Sequence, residues 1–247
     1  MNTRLAGGNG ESICLPAIQA HALWAETYDL PVNPLLALEE RTMDPLLPAV
    51  SGRCILDVAC GTGRWLGRLI GRGASRTIGV DISKEMLHVA SGKLSSRAKL
   101  IRADCLALPI QDGLTDLAVC SFAISYLPNL SSFASELARV SRCHGHVFVT
   151  DFHPCGYDRG WKRAFRYGDQ VIEIASYVHS INSIREAFVR AGFEVMRCIE
   201  PNIDEPERKF FSRSRKLQFY ESARKGPAIF VLHFRLSLGQ GLGKQSG

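Results

Sequence analysis

The chain has 247 residues, 46% of them hydrophobic and 22% charged, the composition of a globular protein that can bury a full core. No apolar run approaches the roughly 18 residues that a membrane-spanning helix needs, so we expect no membrane association. The eight cysteines include no C-x-x-C pair, which argues against a zinc site. We expect no metal and reduced thiols in a cytoplasmic protein.

The amino-terminal segment lacks the basic cluster and apolar run of a secretory signal. We predict a flexible tail over residues 1–15 and a single domain over residues 16–247. The stretch AIQAHALWAETYD is short and amphipathic, and a proline-marked break separates it from a predicted helix running from Leu35 to about Leu47.

A repeating alternation of strands and helices comes next. The predicted strands are short and rich in Val, Ile and Leu, as buried parallel strands are: Cys54–Ala59, Thr77–Val80, Ala98–Ile101, Asp116–Ser121 and His146–Thr150. The predicted helices between them are Arg64–Ile70, Lys84–Leu94 and Phe133–Val140. This alternation predicts an α/β fold, in which helices cover both faces of a parallel sheet.

The alternation stops after Asp151. Residues 152–178 are aromatic and basic, contain three glycines, and are predicted to form a lid or insertion. A helix is predicted from about Ser183 to Ala191, with Ser183 and Glu186 as a capping box and Gly192 at the carboxyl end.

The carboxyl-terminal part predicts two more strands, Phe193–Ile199 and Ala228–Leu236, on either side of a basic segment at about 205–226. Much of the net charge of +6 comes from this segment. A solvated helix face explains such a cluster, and a site for an anionic substrate or RNA is the alternative.

The stretch ILDVACGTG, residues 55–63, joins the first strand of the alternation to a glycine turn. A P-loop would need a Lys-Ser/Thr pair after the glycines, and a dinucleotide fingerprint would need a third glycine where Leu66 stands. A carboxylate at Asp57 would repel a pyrophosphate but suit a cationic ligand. The turn therefore favours S-adenosylmethionine, which carries a sulfonium and an ammonium and has no phosphate.

Two further acids follow the next two strands. Asp81 ends the second strand, 18 residues after Gly63, the usual distance for a carboxylate that accepts both ribose hydroxyls. Asp104 follows the third strand and could accept the adenine amino group, with Leu106 packing on the ring. An aspartate after a strand is often only a helix cap, but three of them in order behind a glycine turn indicate a nucleoside site.

Five segments together resemble one family: ILDVACGTGRWLGRLI, TIGVDISKEMLHVA, RADCLALPI, LTDLAVCSFAISYLPN and ELARVSRCHGHVFVTDF. They are similar to the class I S-adenosylmethionine-dependent methyltransferases, especially the branch with the quinone-biosynthesis enzymes, over about residues 20–200. The resemblance implies a Rossmann-like, seven-stranded, mostly parallel sheet with a reversed last strand, helices on both faces and the lid after strand five.

The resemblance also implies the residues of a cofactor site for S-adenosylmethionine. They are Tyr28, Asp57, Ala59, Gly61, Gly63, Asp81, Ile82, Asp104, Cys105, Ser121 and Phe122. By this resemblance, the glycine turn and the end of the fourth strand would contact the methionine end of the cofactor. Asp81 would hold the ribose, and Asp104 and Cys105 would hold the adenine. Tyr28 would pack over the cofactor. Many relatives carry a histidine after the fourth strand, where this chain has Ile124-Ser125-Tyr126, so no base can be transferred to that position.

Two histidines near the lid are our candidates for a general base. His153 follows the end of the fifth strand, with a structural His-Pro turn as the alternative, and His179 precedes the capping-box helix. Aromatic lid residues Trp161, Phe165 and Tyr167 could form a wall for a planar substrate.

The residues therefore predict an S-adenosylmethionine-dependent methyltransferase that acts on an oxygen, nitrogen or carbon atom of a small, aromatic or polyketide-like metabolite. Two alternatives stay open: an RNA or protein methyltransferase that uses the basic segment, and a protein that binds the cofactor without transferring its methyl group. We expect a small-molecule partner rather than nucleic acid, and a monomer or homodimer.

Overall fold

The computed structural model describes residues 12–30 and 32–237. Its strands in this part of the chain are β1 Ser12–Leu15, β2 Cys54–Val58, β3 Arg76–Asp81, β4 Lys99–Arg102, β5 Thr115–Ser121, β6 Ser141–Phe152, β7 Ala164–Tyr167, β8 Gln170–Ile174, β9 Phe193–Ile199 and β10 Ile229–Leu236. Its α-helices are α1 Ala17–Trp24, α2 Pro34–Met43, α3 Arg64–Gly71, α4 Lys84–Leu94, α5 Leu130–Val140, α6 Pro154–Asp158, α7 Ile181–Arg190, α8 Glu205–Arg213 and α9 Tyr220–Ala223.

The large sheet has seven strands in the order β4-β3-β2-β5-β6-β10-β9. Strand β10 is antiparallel to both of its neighbours, while the pairs from β4 to β6 are parallel. The predicted fold class, with its reversed last strand, is confirmed. Because β2 is flanked by β3 on one side and β5 on the other, the chain changes direction across the sheet at β2. Ligands of such sheets bind at this switch point, beyond the carboxyl ends of the strands.

Most predicted elements are present, and their bounds differ from the predicted ones in a few places. Helix α4 and strand β9 have the predicted bounds, whereas α2 ends at Met43 and continues as a 3₁₀ turn. The predicted capping box before α7 is wrong: Ser180 is the N-cap, and its hydroxyl accepts the Ser183 backbone N–H at 3.0 Å. Gly192 does end this region of helix, with a φ of +96°.

Alternation along β2 assigns its side chains to two cores. Cys54, Leu56 and Val58 pack in the core that includes α5 and α7, whereas Ile55 packs in the core that includes α2 and α3. Asp57 has the same parity as Ile55, so its carboxyl is directed to the side of α2 and α3.

A second, three-stranded sheet has the order β1-β8-β7. Strands β7 and β8 form an antiparallel hairpin, and β1 pairs in parallel with β8, with Ser12 opposite Val171. Helix α1 packs on this sheet, where Trp24 stacks on Phe165 with 4.6 Å between ring centroids. We call β1, α1, β7 and β8 the cap. The cap joins two segments far apart in the sequence.

The cap corrects two predictions. Residues 12–15 form a strand rather than part of a flexible tail, because their backbone hydrogen-bonds to β8; residues 1–11 of the predicted tail lie outside the described residues. The predicted lid at 152–178 consists of α6 and the hairpin, and the hairpin is held to α1 and β1. The single-domain organisation stays a prediction, and its last ten residues are also outside the described part.

Within residues 12–30 and 32–237, no helix is both long and apolar enough to cross a membrane. All eight cysteines fall in this part of the chain and have free thiols.

Candidate active site

A pocket of about 330 Å³ lies at the carboxyl ends of β2, β3 and β5, under the cap. This volume is within the range of small-molecule sites, ~300–1,000 Å³. The cap side of its wall includes Ala17, Ile18, His21 and Tyr28. The sheet side includes Ala59, Gly61, Asp81, Ile82, Asp104, Cys105, Ser121 and Phe122. The pocket is therefore at the switch point that the sheet order defines.

The two glycines of the turn have different surroundings. A Cβ on Gly61 would meet no atom within 4 Å, whereas a Cβ on Gly63 would lie 2.7 Å from Leu94 Cδ1. Both residues have a positive φ, +54° and +79°, which side chains rarely adopt. Gly61 therefore leaves open space beside the pocket, and Gly63 lets α3 begin close to α4.

Asp81 fastens the glycine turn to the next strand. Its Oδ2 accepts the Gly61 N–H and its Oδ1 accepts the Ser83 N–H, each at 2.8 Å. Burial raises the pKa of this carboxyl, and backbone N–H donors from Ser83, Gly61 and Ile82 partly offset that rise. Each carboxylate oxygen has a second lone pair, so Asp81 can still accept ligand hydroxyls. Asp104 is a similar acceptor, fixed by the Leu106 N–H at 2.9 Å.

Asp57 lies beneath the turn and is only 2% exposed. Burial raises the pKa of its carboxyl to about 8, against partial lowering by the Arg64 guanidinium. The Leu66 backbone N–H donates to it, but it forms no ion pair within the described residues. Asp57 is thus a buried acid that a nearby cation would ionise.

A buried network beside Asp57 fixes the methionine-end wall that the sequence implied. Glu39 of α2 is fully buried; its Oε1 accepts the Ser121 hydroxyl at 2.7 Å, and its Oε2 accepts the Trp65 indole N–H at 3.2 Å. Arg64 and Thr150 also donate to Glu39. We did not predict Glu39, because a Glu-Glu pair in a helix usually indicates a solvent face.

The cap side of the pocket carries one histidine between two tyrosines. His21 Nδ1 lies 2.8 Å from the Ala17 carbonyl oxygen, and the ring meets Tyr126 edge-on with 5.0 Å between centroids. Burial lowers the pKa of His21 to about 4 and raises that of Tyr28 to about 12. Both side chains are therefore neutral at physiological pH.

Behind this wall, Arg163 forms a fully buried ion pair with Asp151, the residue before the end of β6. The guanidinium also donates to the Tyr126 and Tyr157 hydroxyls, each at 3.2 Å, and to the Phe122 carbonyl at 3.3 Å. Asp151 additionally accepts the Ser125 N–H at 3.0 Å. The charge of Arg163 is thus neutralised within the chain, and the pair ties the hairpin to the sheet.

Comparison with known proteins identifies the domain. A family model described as a methyltransferase domain matches residues 55–145. The chain is 28% identical to the biotin biosynthesis bifunctional protein BioHC of Cellvibrio japonicus over 193 residues, 78% of this chain and 37% of that protein. It is 31% identical to the demethylmenaquinone methyltransferase of Lactococcus lactis over 113 residues, 42% of this chain and 44% of that protein. The chain therefore spans less than half the length of these two relatives.

A solved structure agrees in fold. The S-adenosylmethionine-dependent methyltransferase from Mesorhizobium loti superposes with a TM-score of 0.66 at 20% identity, covering 82% of this chain and all of that chain. Residues 55–145 therefore match a methyltransferase domain, and the fold is that of the S-adenosylmethionine-dependent methyltransferases.

The cofactor of S-adenosylmethionine-dependent methyltransferases is S-adenosylmethionine, and the pocket of this protein fits it. Gly61 leaves room for a ligand beside the turn, and Asp81 and Asp104 offer fixed acceptors for hydroxyl and amino groups. The described residues that line the pocket include no lysine or arginine that could pair with a pyrophosphate.

Nine of the eleven predicted cofactor residues line the pocket, and Asp57 and Gly63 do not. Asp57 is buried below the turn, and Gly63 packs against α4, so neither is placed to touch a ligand directly. The contacts of all eleven with the cofactor stay predictions.

The structure does not place either predicted base in the pocket wall. His153 caps α6: its Nδ1 accepts the Cys155 N–H at 3.2 Å and lies 2.8 Å from Cys155 Sγ, and its Nε2–H donates to Glu200 at 2.7 Å. His179 Nε2 donates to the Leu127 carbonyl at 2.8 Å. These contacts give both side chains structural roles and leave His153 no free nitrogen.

The predicted aromatic wall is also built differently. Trp161 and Phe165 are buried inside the protein, and Tyr167 is half exposed. The aromatic residues in the pocket are Tyr28, Phe122 and Tyr126. The lid aromatics thus support the wall from behind, through contacts such as the stack on Trp24.

Proposed function

We propose that this methyltransferase transfers a methyl group to an oxygen, nitrogen or carbon atom of a small, uncharged, aromatic or apolar acceptor. The observation that carries the proposal is the contrast within one pocket. Acids line the sheet side, whereas the cap side is apolar and aromatic and has no cationic side chain among the described lining residues. An acceptor with a phosphate or free carboxylate would lose its hydration there without gaining a counter-charge.

The binding residues follow from this division. The acids and the glycine turn, with Tyr28 and Phe122, would hold the adenosine and methionine parts, and Ala17, Ile18 and Tyr126 would hold the acceptor. When bound, S-adenosylmethionine supplies an electrophilic methyl group on a sulfur that leaves as a neutral thioether. The protein then has to align the acceptor atom and exclude water, which can lower the barrier by about 7–11 kcal/mol.

A ring-shaped acceptor agrees with one of the relatives. The name of the Lactococcus lactis protein gives demethylmenaquinone as its substrate, and a quinone or hydroquinone ring has the flat, uncharged form that the tyrosine-lined wall favours. Arg163 would not recognise an acceptor carboxylate, because Asp151 already neutralises it.

Transfer of labelled methyl groups tests the proposal. Purified protein would be incubated with methyl-tritiated S-adenosylmethionine and three acceptor panels: hydroquinones and phenols, aromatic carboxylates and phosphate esters, and RNA. We expect label in the first panel only. The Asp104→Asn variant, altered in the pocket, should bind S-adenosylhomocysteine more weakly in calorimetry, whereas Asp169→Asn, on an exposed turn, should not.

Three other outcomes would replace the proposal. Label in the anionic panel would contradict the uncharged acceptor, and label in RNA with a steep salt dependence of binding would favour a nucleic-acid substrate. Tight binding of the cofactor without transfer to any panel would favour a cofactor-binding protein that does not transfer methyl groups.

A further inference from the structure

The geometry points to His21 as the catalytic base, which takes the proton from an acceptor that presents an O–H or N–H group. This inference rests on the proposed function and names a residue that neither the sequence motifs nor the comparisons single out. It assigns to helix α1 of the cap the task that we first predicted for the two histidines after β6.

The hydrogen bond to Ala17 fixes the tautomer of His21. A carbonyl oxygen can only accept, so Nδ1, at 2.8 Å from it, carries the ring proton. In a neutral imidazole, Nε2 then keeps an unshared pair. Among the described residues nothing forms a hydrogen bond with Nε2, and the side chain lines the pocket. The free base position thus belongs to the acceptor side of the site.

The surroundings of His21 keep the ring neutral before the reaction. Burial lowers its pKa to about 4, the Ala17 carbonyl opposes this, and Arg163 adds to it. Trp24 from its own helix, Tyr28 and Tyr126 face the ring, with centroids 6.2, 6.5 and 5.0 Å away, and none of them carries a charge at neutral pH. Tyr28 cannot replace His21 as a base, because its raised pKa, about 12, keeps the phenol protonated.

The transfer step balances with His21 as the proton acceptor. The acceptor oxygen or nitrogen forms a bond to the methyl carbon, the electron pair of the carbon–sulfur bond stays on sulfur, and the O–H or N–H proton moves to Nε2. One positive charge disappears at sulfur while another appears on the imidazole. A buried histidine of low basicity can accept a proton at this moment, because the competing cation is being neutralised.

Nitrogen NMR of the imidazole ring tests the assignment without turnover. In ¹⁵N-labelled protein we expect His21 to show a protonated Nδ1 and a bare Nε2 from pH 8 down to about pH 5. Addition of S-adenosylhomocysteine and excess phenol should shift the Nε2 resonance towards its hydrogen-bonded value. A proton on Nε2, or no shift when phenol is saturating, would overturn the inference. His88, exposed on α4, is the internal control and should not respond to phenol.

Kinetics with substituted phenols of graded acidity provides a second test. His21→Asn keeps an amide that can donate to Ala17 but removes the base, so kcat should fall about 10²–10⁴-fold for weakly acidic phenols with little change in KM. The loss should shrink steadily as the phenol becomes more acidic, because a more acidic O–H needs less help from a base, and His88→Asn should behave like the wild type. An equal loss across the whole series would show a structural role and refute the base.

The two proposals fail differently. Wild-type protein that binds no S-adenosylmethionine in calorimetry would refute the proposed function, whatever the tautomer of His21. Wild-type protein that methylates phenols while His21 shows no phenol-dependent shift would refute the base alone. If no phenol is methylated, the NMR experiment alone decides whether His21 is assigned as the base.

Discussion

Two buried aspartates at the carboxyl ends of strands behave in opposite ways. Asp151, in β6 beside the cap, forms a fully buried ion pair with Arg163 and accepts backbone N–H groups. Asp57, in β2 below the glycine turn, has no ion pair within the described residues, and burial raises its pKa to about 8. Asp151 is neutralised by Arg163 and holds the cap to the sheet. The ionised form of Asp57 is unfavourable in the ligand-free protein, and a cationic ligand would stabilise it.

This difference shows how to tell an acid that serves the fold from one that serves ligand binding when both are buried near the same pocket. A carboxylate with a cation of its own in the chain contributes to folding, and its removal should cost stability. A buried carboxylate without one destabilises the ligand-free protein, and its removal should cost binding. The variants below test this distinction.

The largest effect is expected for Asp57→Asn in the ligand-free protein. Because the folded pKa is raised from 3.8 to about 8, the stabilising protonated form is fully effective below about pH 4 and is lost as the pH rises through 8. Asparagine cannot ionise. The free energy of unfolding of the Asp57→Asn variant, relative to that of the wild type, should therefore grow by about 1.4 kcal/mol per pH unit across this window, to the order of 5 kcal/mol. Urea denaturation at pH 5, 6, 7 and 8 measures it.

The same substitution, which stabilises the ligand-free protein, should weaken the binding of the cofactor. Asp57→Asn should weaken S-adenosylmethionine on the order of tenfold more than the uncharged-sulfur product S-adenosylhomocysteine, because only the former carries the sulfonium. Calorimetry with both ligands checks this. Equal weakening of the two, or a pH-independent stability difference, would contradict the role given to Asp57.

A change of comparable size but opposite sign, a loss of stability, is expected on the cap side from Arg163→Met. It leaves the carboxylate of Asp151 buried without its partner, which typically costs about 3–5 kcal/mol. The double variant with Asp151→Asn should recover part of this loss, since no unpaired charge remains. Urea denaturation measures both. A single variant as stable as the wild type would show that the pair is not what holds the cap.

Substitutions of the two glycines should separate folding from binding. Gly61→Ala and Gly63→Ala share the strain of a positive φ, roughly 1–2 kcal/mol, but only the second adds a contact at 2.7 Å with Leu94. Gly63→Ala should therefore lower the melting temperature more, while Gly61→Ala should weaken S-adenosylhomocysteine more. Thermal unfolding and calorimetry would show the opposite order if the assignment of the two glycines were reversed.

The smallest effect is expected for the aromatic contact between the two segments of the cap, α1 and the β7–β8 hairpin. Trp24 and Phe165 stack with their planes 1° apart. A double-mutant cycle with Trp24→Leu and Phe165→Leu should give a coupling of about 0.5–1.5 kcal/mol. The matched control is the pair Phe188 and Phe234, whose ring centroids are 4.2 Å apart and which does not line the pocket. Its disruption should leave acceptor turnover per folded molecule unchanged. No coupling between Trp24 and Phe165 would contradict the cap as one unit.

The sheet half of the site could be predicted because its signals are local. The run ILDVACGTG joins a buried strand to a turn within nine residues, and an acid at each following strand end can be recognised from its position in the sequence. Eight predicted residues on this side accordingly meet in one pocket.

The cap half could not be predicted in this way, because its contacts are long-range. Nothing near Ser12 in the sequence indicates its pairing with Val171, and a single histidine in an amphipathic stretch gives no sign that it faces a pocket. The sequence also showed Arg163 only as one of several charges in the predicted lid at 152–178. The partner that neutralises it, Asp151, lies 12 residues earlier and becomes a partner only when the hairpin folds back.

Because β10 lies between β6 and β9, β9 can join the sheet only after β10 has been synthesised. Strand β9 leaves the ribosome first but has no place in the sheet until β10, some thirty residues later, arrives to pair with it. A nascent chain arrested before residue 229 would therefore expose two unpaired edges, and a stop codon there would remove the anchorage of β9 together with the last strand.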